Sequence, residues 1–157
     1  MLAEIYDAGD GGSGQLVNCS ARVQVGADEA LGILGFVVGG ENPVTVVLRA
    51  VGSSLAPYNI THPLADPKLW LHDTKQPLMG NDNWGSADNQ PVLAQAMARV
   101  GAFALPDGSK DAALLVQVEP GAYTVTATGA DGSHGAALLE VYLVAQAAID
   151  AALDEIE

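Results

Sequence analysis

The chain has 157 residues, 49% hydrophobic but only 5% aromatic, and nineteen acidic against six basic residues give it a formal net charge of −13. That length supports one domain with a core that needs no metal or disulfide, while the acidic excess repels phosphate backbones and anionic headgroups and so excludes nucleic acid as a partner. Cys19 stands alone, which excludes an intrachain disulfide, a zinc cluster or a redox pair, and the longest uncharged run, ALGILGFVVGG, is too short and too rich in Gly for membrane insertion.

Residues 2–7, LAEIYD, alternate apolar and polar positions, and the DAGDGGSG that follows reads as a turn or linker. QLVNCSARVQVG, EALGILGFVVGG and PVTVVLRAVG come next, each aliphatic or β-branched and each closed by Gly or Pro, which is how strands separated by turns are written. In the first of them Cys19 reads as a small buried hydrophobe. PKLWLHD sets Leu69 and Leu71 on one face and Trp70 and His72 on the other. KQPLMGNDNWG reads as a turn plus a short strand that leads into an Asn/Asp-rich loop.

The period then changes. In QPVLAQAMARVG, Val92, Leu93, Ala96, Met97 and Val100 recur at helical spacing behind a Pro suited to a first turn. Strands return in KDAALLVQV, AYTVTATG and AALLEVYLV, separated by a Pro-Gly turn and a Gly/Asp turn. In the tail, VAQAAIDAALDEIE, Ile149, Leu153 and Ile156 share one helical face, opposite Asp150, Asp154, Glu155 and Glu157. Acidic residues at a helix C-terminus oppose its dipole, so this tail is expected to fray unless its apolar stripe docks. The sum is an all-β fold: an antiparallel β-sandwich of about eight or nine strands, jelly-roll or immunoglobulin-like, with one short inserted helix and a C-terminal amphipathic helix.

Catalytic constellations are weak. His62, His72 and His134 lie on three separate segments, and none has a Ser or Cys in a recognised nucleophile context, so no enzyme is expected. Asp66, Asp73, Asn81, Asp82, Asn83 and Asp88 offer the oxygens a hard cation wants, which makes calcium the candidate cofactor. The EF-hand spacing is absent, and the alternative is an Asx-rich turn whose side chains cap backbone amides. Trp70 and Trp84, on either side of a predicted hairpin turn, could lie side by side as a platform for a carbohydrate ring, or could each serve as core.

LADPKLWLHDTKQPLMGNDNWG followed by PGAYTVTATG resembles the bacterial pre-peptidase C-terminal domain family, with Asp66, Pro67, Asp73, Asn81, Asp82, Gly121 and Tyr123 at the matching positions. A longer similarity runs over about residues 15–143, through LVNCSARVQVG, LGILGFVVGG, LADPKLWLHD, NDNWG, VGAFALPDGSKDAALLVQVEPGAYTV and ALLEVY. It resembles the repeated β-domains of large surface or secreted proteins of Verrucomicrobia-like bacteria. The resemblance implies a β-sandwich with a structural or adhesive role outside the cell or at its surface. It divides the chain into an extra N-terminal strand (1–8), a Gly-rich linker (9–14), the module (15–143) and an acidic helical tail (144–157). The start of the chain lacks the basic n-region of a secretory signal, so an intracellular assembly protein, such as a virion surface component, stays an alternative.

LAEIYD also resembles LLEVYL at 138–143: Leu2 matches Leu138, Glu4 Glu140, Ile5 Val141 and Tyr6 Tyr142. It therefore reads as the last strand of a module. The leading expectation is a non-catalytic structural module that self-associates into an array or filament through sheet edges, with Leu2, Glu4, Ile5, Tyr6, Ile149, Leu153 and Ile156 as contact residues. The alternative is a module that binds carbohydrate or another surface polymer, with or without calcium.

Overall fold

The structure is a computed structural model, and it describes residues 17–27 and 31–155. Its strands are β1 (Asn18–Val25), β2 (Gly32–Val38), β3 (Val44–Val51), β4 (Pro67–His72), β5 (Pro77–Asn81), β6 (Ala112–Val118), β7 (Gly121–Gly129) and β8 (Gly135–Val144). Helix α1 (Gln90–Arg99) is inserted between β5 and β6, and α2 (Gln146–Asp154) follows β8. Two four-stranded sheets form, in the orders β1-β8-β3-β6 and β2-β7-β4-β5.

The pairing is nested. β1 pairs with β8, β2 with β7, β3 with β6 and β4 with β5, all antiparallel. A chain that lays its first four strands against its last four and then wraps into two sheets is a jelly roll, which settles the choice left open by the sequence. The two sheets pack through alternate residues, with Val46, Leu48 and Ala50 of β3 facing Leu69 and Leu71 of β4 and Val125 of β7 in one buried cluster. Burying each such Leu or Val contributes roughly 1.5–3 kcal/mol.

The two outer faces differ. On the first sheet the alternate residues Val47 and Val51, with Ala113, Tyr142 and Val144, are covered by a second cluster built from Leu55, Trp84, Leu93, Ala96, Met97 and Leu105. That layer is why β3 and β8 read as nearly continuous apolar runs: both of their faces are buried. α1 enters with Pro91 in its first turn. It closes in a Schellman arrangement, with Gly101 at φ +75° and bonds from Gly101 N to Ala98 O and Ala102 N to Met97 O. Among the described residues nothing covers the second sheet in this way, and Ile33, Val37 and Trp70 stand 58%, 77% and 45% exposed on it.

Two expectations about association change. The strand that LAEIYD resembles, β8, is interior to its sheet, hydrogen-bonded to β1 on one side and β3 on the other, so it marks no edge. The tail docks instead of fraying: Ala152 is fully buried, Ile149 packs into the second cluster, and Arg99 of α1 meets Glu155 at 2.7 Å. Ile149 is thereby committed within the chain, while Leu153 stays half exposed. Leu2, Glu4, Ile5, Tyr6 and Ile156 lie outside the described residues.

Candidate functional site

The β4–β5 hairpin separates the oxygen-rich cluster. Asp66 precedes β4 and Asn81 ends β5, so these two, with Asp82 and Asn83, share one end of the hairpin. Asp73 sits at the tight turn at the other end, about 20 Å of extended strand away. There its Oδ1 accepts the Lys75 and Gln76 backbone N–H groups, both at 2.7 Å. These two bonds hold its carboxyl below the usual carboxylate range.

The remaining members are occupied locally. Asp66 is ion-paired with Lys110. Its other oxygen, Oδ1, is buried without a hydrogen-bond partner, but the Lys110 ammonium already balances that carboxylate. Asn81 is a brace: its Oδ1 accepts from Ala113 N at 3.1 Å and its Nδ2 donates to Asn83 O at 3.1 Å, tying β5 to β6. Asn83 caps the turn Trp84–Ser86 through its carbonyl, which accepts from Ser86 N and Oγ. Asp82 lies 3.9 Å from Lys68 across open surface, and Asp88 is exposed ahead of α1. Among the described residues no three His, Cys, Asp or Glu side chains gather as a metal site requires. As one set, the six do not fit a shared calcium site, because the hairpin sends Asp73 away and the turns use the amides.

The two tryptophans part in the same way. Trp84 is 4% exposed in the second cluster, with its Nε1 donating to Pro106 O and Ser109 Oγ, both at 3.2 Å. It is core, and it forms no platform with Trp70. Trp70 points outward from β4, where Thr126 of β7 stands opposite it on one side and Gly80 of β5 on the other. A Cβ on Gly80 would lie 2.7, 2.8 and 2.9 Å from the indole atoms Cδ2, Cε3 and Cε2. Three ring atoms at nearly one distance mean that the ring lies face down on the Gly80 backbone. Only glycine leaves room for it there.

Around that ring the bare face is flat and mixed. Ile33, Thr126, Trp70 and Gly80 form one row across four strands, about 14 Å wide at the usual strand spacing. Thr124 and Thr128 flank Thr126, and His72 Nε2 lies 3.0 Å from Thr126 Oγ1. Lys68 and His72 are the titratable side chains on these outward strand positions, and Asp82, just past the end of β5, comes within 3.9 Å of Lys68 at the rim.

Under the helical layer the sequence held a feature its motifs did not announce. Arg49 and Glu140 stand directly opposite on β3 and β8, 0% and 3% exposed. Arg49 Nε donates to Glu140 Oε2 at 2.7 Å, while Nη2, 2.6 Å from the same oxygen but poorly aligned, adds Coulomb attraction alone. Nη1 donates to Phe103 O at 2.7 Å, and the guanidinium lies 4.4 Å from the centre of the Phe103 ring. Tyr142 donates its hydroxyl to Glu140 Oε1 at 2.6 Å. Burial and this bond to a carboxylate push the phenol up to about 12. The available signal was one lone charge in each of two otherwise apolar strands. A second buried acid, Asp111, fastens the turn after β3 by accepting from Gly52 N at 2.7 Å and from the Ser53 and Ser54 hydroxyls.

A depression of about 200 Å³ is lined by Arg22, Leu55, Tyr58, Ile60, Phe103 and Leu138, and it brings no nucleophile or carboxylate together.

Strand order, layering and the exposed face define the class: an antiparallel jelly-roll β-sandwich with one outer face covered by helices and the other uncovered among the described residues. No protein-family model matches the sequence, and no curated protein matches it. Among solved structures the chain is similar to the pre-peptidase C-terminal domain of a collagenase from Bacillus anthracis, with a TM-score of 0.47 and 12% identity over 80% of this chain and 89% of that one. The fold assignment rests on the strand order.

Proposed function

We propose that this chain is a non-catalytic binding module that holds a neutral polysaccharide on the bare face of its second sheet. The observation that carries this reading is the Trp70 indole laid flat on Gly80, with 45% of the residue exposed. An indole face packs against the C–H face of a sugar ring, while the Thr hydroxyls and His72 beside it supply hydrogen bonds to sugar hydroxyls. A non-catalytic role is supported by the histidines: His62 lies in a loop, His72 is engaged with Thr126, and His134 is exposed on a turn. The similarity to repeated β-domains of large surface proteins supports action at a cell surface or outside the cell. Binding to a panel of immobilised glycans tests the reading, with Trp70→Ala expected to lower affinity at least tenfold while circular dichroism and unfolding stay native. No bound glycan, or binding indifferent to Trp70, would refute it.

A second reading, self-association into an array, is favoured by β2. Among the described strands it is the outermost of its sheet, with Ile33 and Val37 projecting into solvent beside a backbone edge that pairs with no other described strand. Light scattering on the wild type and on Val37→Lys separates the two readings. Oligomers lost in the variant support association through β2, and a monomer at all concentrations removes it.

A further inference from the structure

We propose that the depression walled by Tyr58 and Phe103 is a binding site for a small aromatic carboxylate, with Arg22 as the cation that receives it. The site lies on the first sheet, so it stands or falls separately from the polysaccharide reading.

Its position follows from strand register. Arg22 of β1 and Val51 of β3 both stand opposite Leu138 of β8, on the face that the second cluster covers. That cover stops short of β1, where Ser20, Arg22 and Gln24 are exposed. Leu138 is left as a half-buried floor between the covering layer and Arg22.

Buried charged groups fasten the walls. Asp111 holds the 3-10 turn Ser53–Tyr58 through the Ser53 and Ser54 hydroxyls, and that turn supplies Leu55 and Tyr58. Arg49 holds Phe103 twice, by donating to its carbonyl at 2.7 Å and by lying 4.4 Å from its ring centre. Tyr58 then meets Phe103 at 5.4 Å between ring centres, tilted by 49°. Past Tyr58, Asn59 and His62, both at φ +57°, turn the chain around Ile60. Non-glycine residues keep that conformation where the surrounding structure imposes it. The walls are therefore set before a ligand arrives, which spares binding the cost of ordering them.

Size and charge select the ligand. A cavity of roughly 150 Å³ takes one benzene ring, so about 200 Å³ takes a ring with a short tether. Walls of Tyr58 and Phe103 favour an aromatic ring, because tilted ring pairs attract beyond their burial. Four of the six basic side chains, Arg49, Lys68, Arg99 and Lys110, are ion-paired. Arg22 has no hydrogen-bond or ion-pair partner among the described residues, although the chain carries nineteen acids. A guanidinium offers donors alone, in a fork that matches a carboxylate. An apolar cup with that group at its rim is complementary to a ring that carries one carboxylate.

The test uses the full chain with 3-phenylpropionate and its neutral analogue 3-phenylpropionamide, followed by calorimetry and by the methyl NMR signals of Leu55, Ile60 and Leu138. The acid should shift those signals saturably and bind about tenfold or more tighter than the amide. Arg22→Gln, at an exposed position, should bring the acid down to the affinity of the amide and leave the amide unchanged. Tyr58→Ala, which removes a wall and keeps the cation, should weaken both. Equal binding of acid and amide, indifference to Arg22→Gln, or the absence of saturable shifts would overturn the proposal. So would tighter binding of a tetrapeptide that ends in Phe, which assigns the cup to protein C-termini. Methyl shifts that grow with protein concentration before any acid is added would assign it to a second copy, with the same consequence.

Discussion

Replacing Arg49 by Met keeps most of the side-chain volume and removes the cation. Glu140 then remains 3% exposed with Tyr142 as its hydroxyl donor and no counter-charge, and Phe103 O loses its guanidinium partner. Breaking one side of a buried ion pair costs about 3–5 kcal/mol. That is a large share of the roughly 5–15 kcal/mol that holds a domain folded. With a urea dependence of about 2 kcal/mol per molar, the midpoint should fall by roughly 2 M. Circular dichroism and the fluorescence of buried Trp84 report the transition together. Adding Glu140→Leu to Arg49→Met should restore most of the loss, since an apolar pair of similar volume removes the stranded charge. A single Arg49→Met variant that loses less than about 1 kcal/mol, or a double variant no better than the single, would show that the pair is not a determinant of stability.

Tyr142 titrates on the alkaline side. Its folded value, pushed up to about 12 from an ordinary 10, means that the folded state holds the phenol proton more tightly than the unfolded chain does. Stability from this group is therefore complete below pH 10 and is lost between pH 10 and 12, by up to about 2–3 kcal/mol. Tyr142→Phe should remove that alkaline slope in pH-dependent unfolding, and an unchanged slope would place its origin elsewhere. The two tryptophans should behave oppositely. Trp84→Ala empties a core site and should cost about 3–5 kcal/mol, whereas Trp70→Ala on open surface should leave urea stability within about 1 kcal/mol of wild type. Asp73 supplies an acid-side control: its depressed value gives stability above the unfolded 3.8 that is lost as pH falls through the folded value. Asp73→Ala should flatten that limb without changing any response to added calcium, read by thermal unfolding with and without the ion.

Period and punctuation carried the strands. Short β-branched runs closed by Gly or Pro marked β1 to β8 to within a few residues, and alternation in PKLWLH set Leu69 and Leu71 on the face opposite Trp70 and His72, as found; it did not say which face is buried, and Trp70 lies on the exposed one rather than in the core. Strand order was a different matter. Nested pairing joins residues as far apart as Asn18 and Tyr142, and nothing local encodes that partner. The misjudged site follows from the same gap. Asp66, Asp73 and Asp82 are near in sequence, but a hairpin of two extended strands carries its turn away from its base, so proximity along the chain became distance in the fold. Trp84 sits in a stretch with no period, NDNWGS, where inward and outward positions cannot be told apart.

The lone charges in PVTVVLRAVG and AALLEVYLV acquire meaning only once β3 and β8 are known to be neighbours in register. Each strand is buried on both faces, so a charge in either one needs a partner across the ladder, and Arg49 opposite Glu140 is the pair that satisfies both.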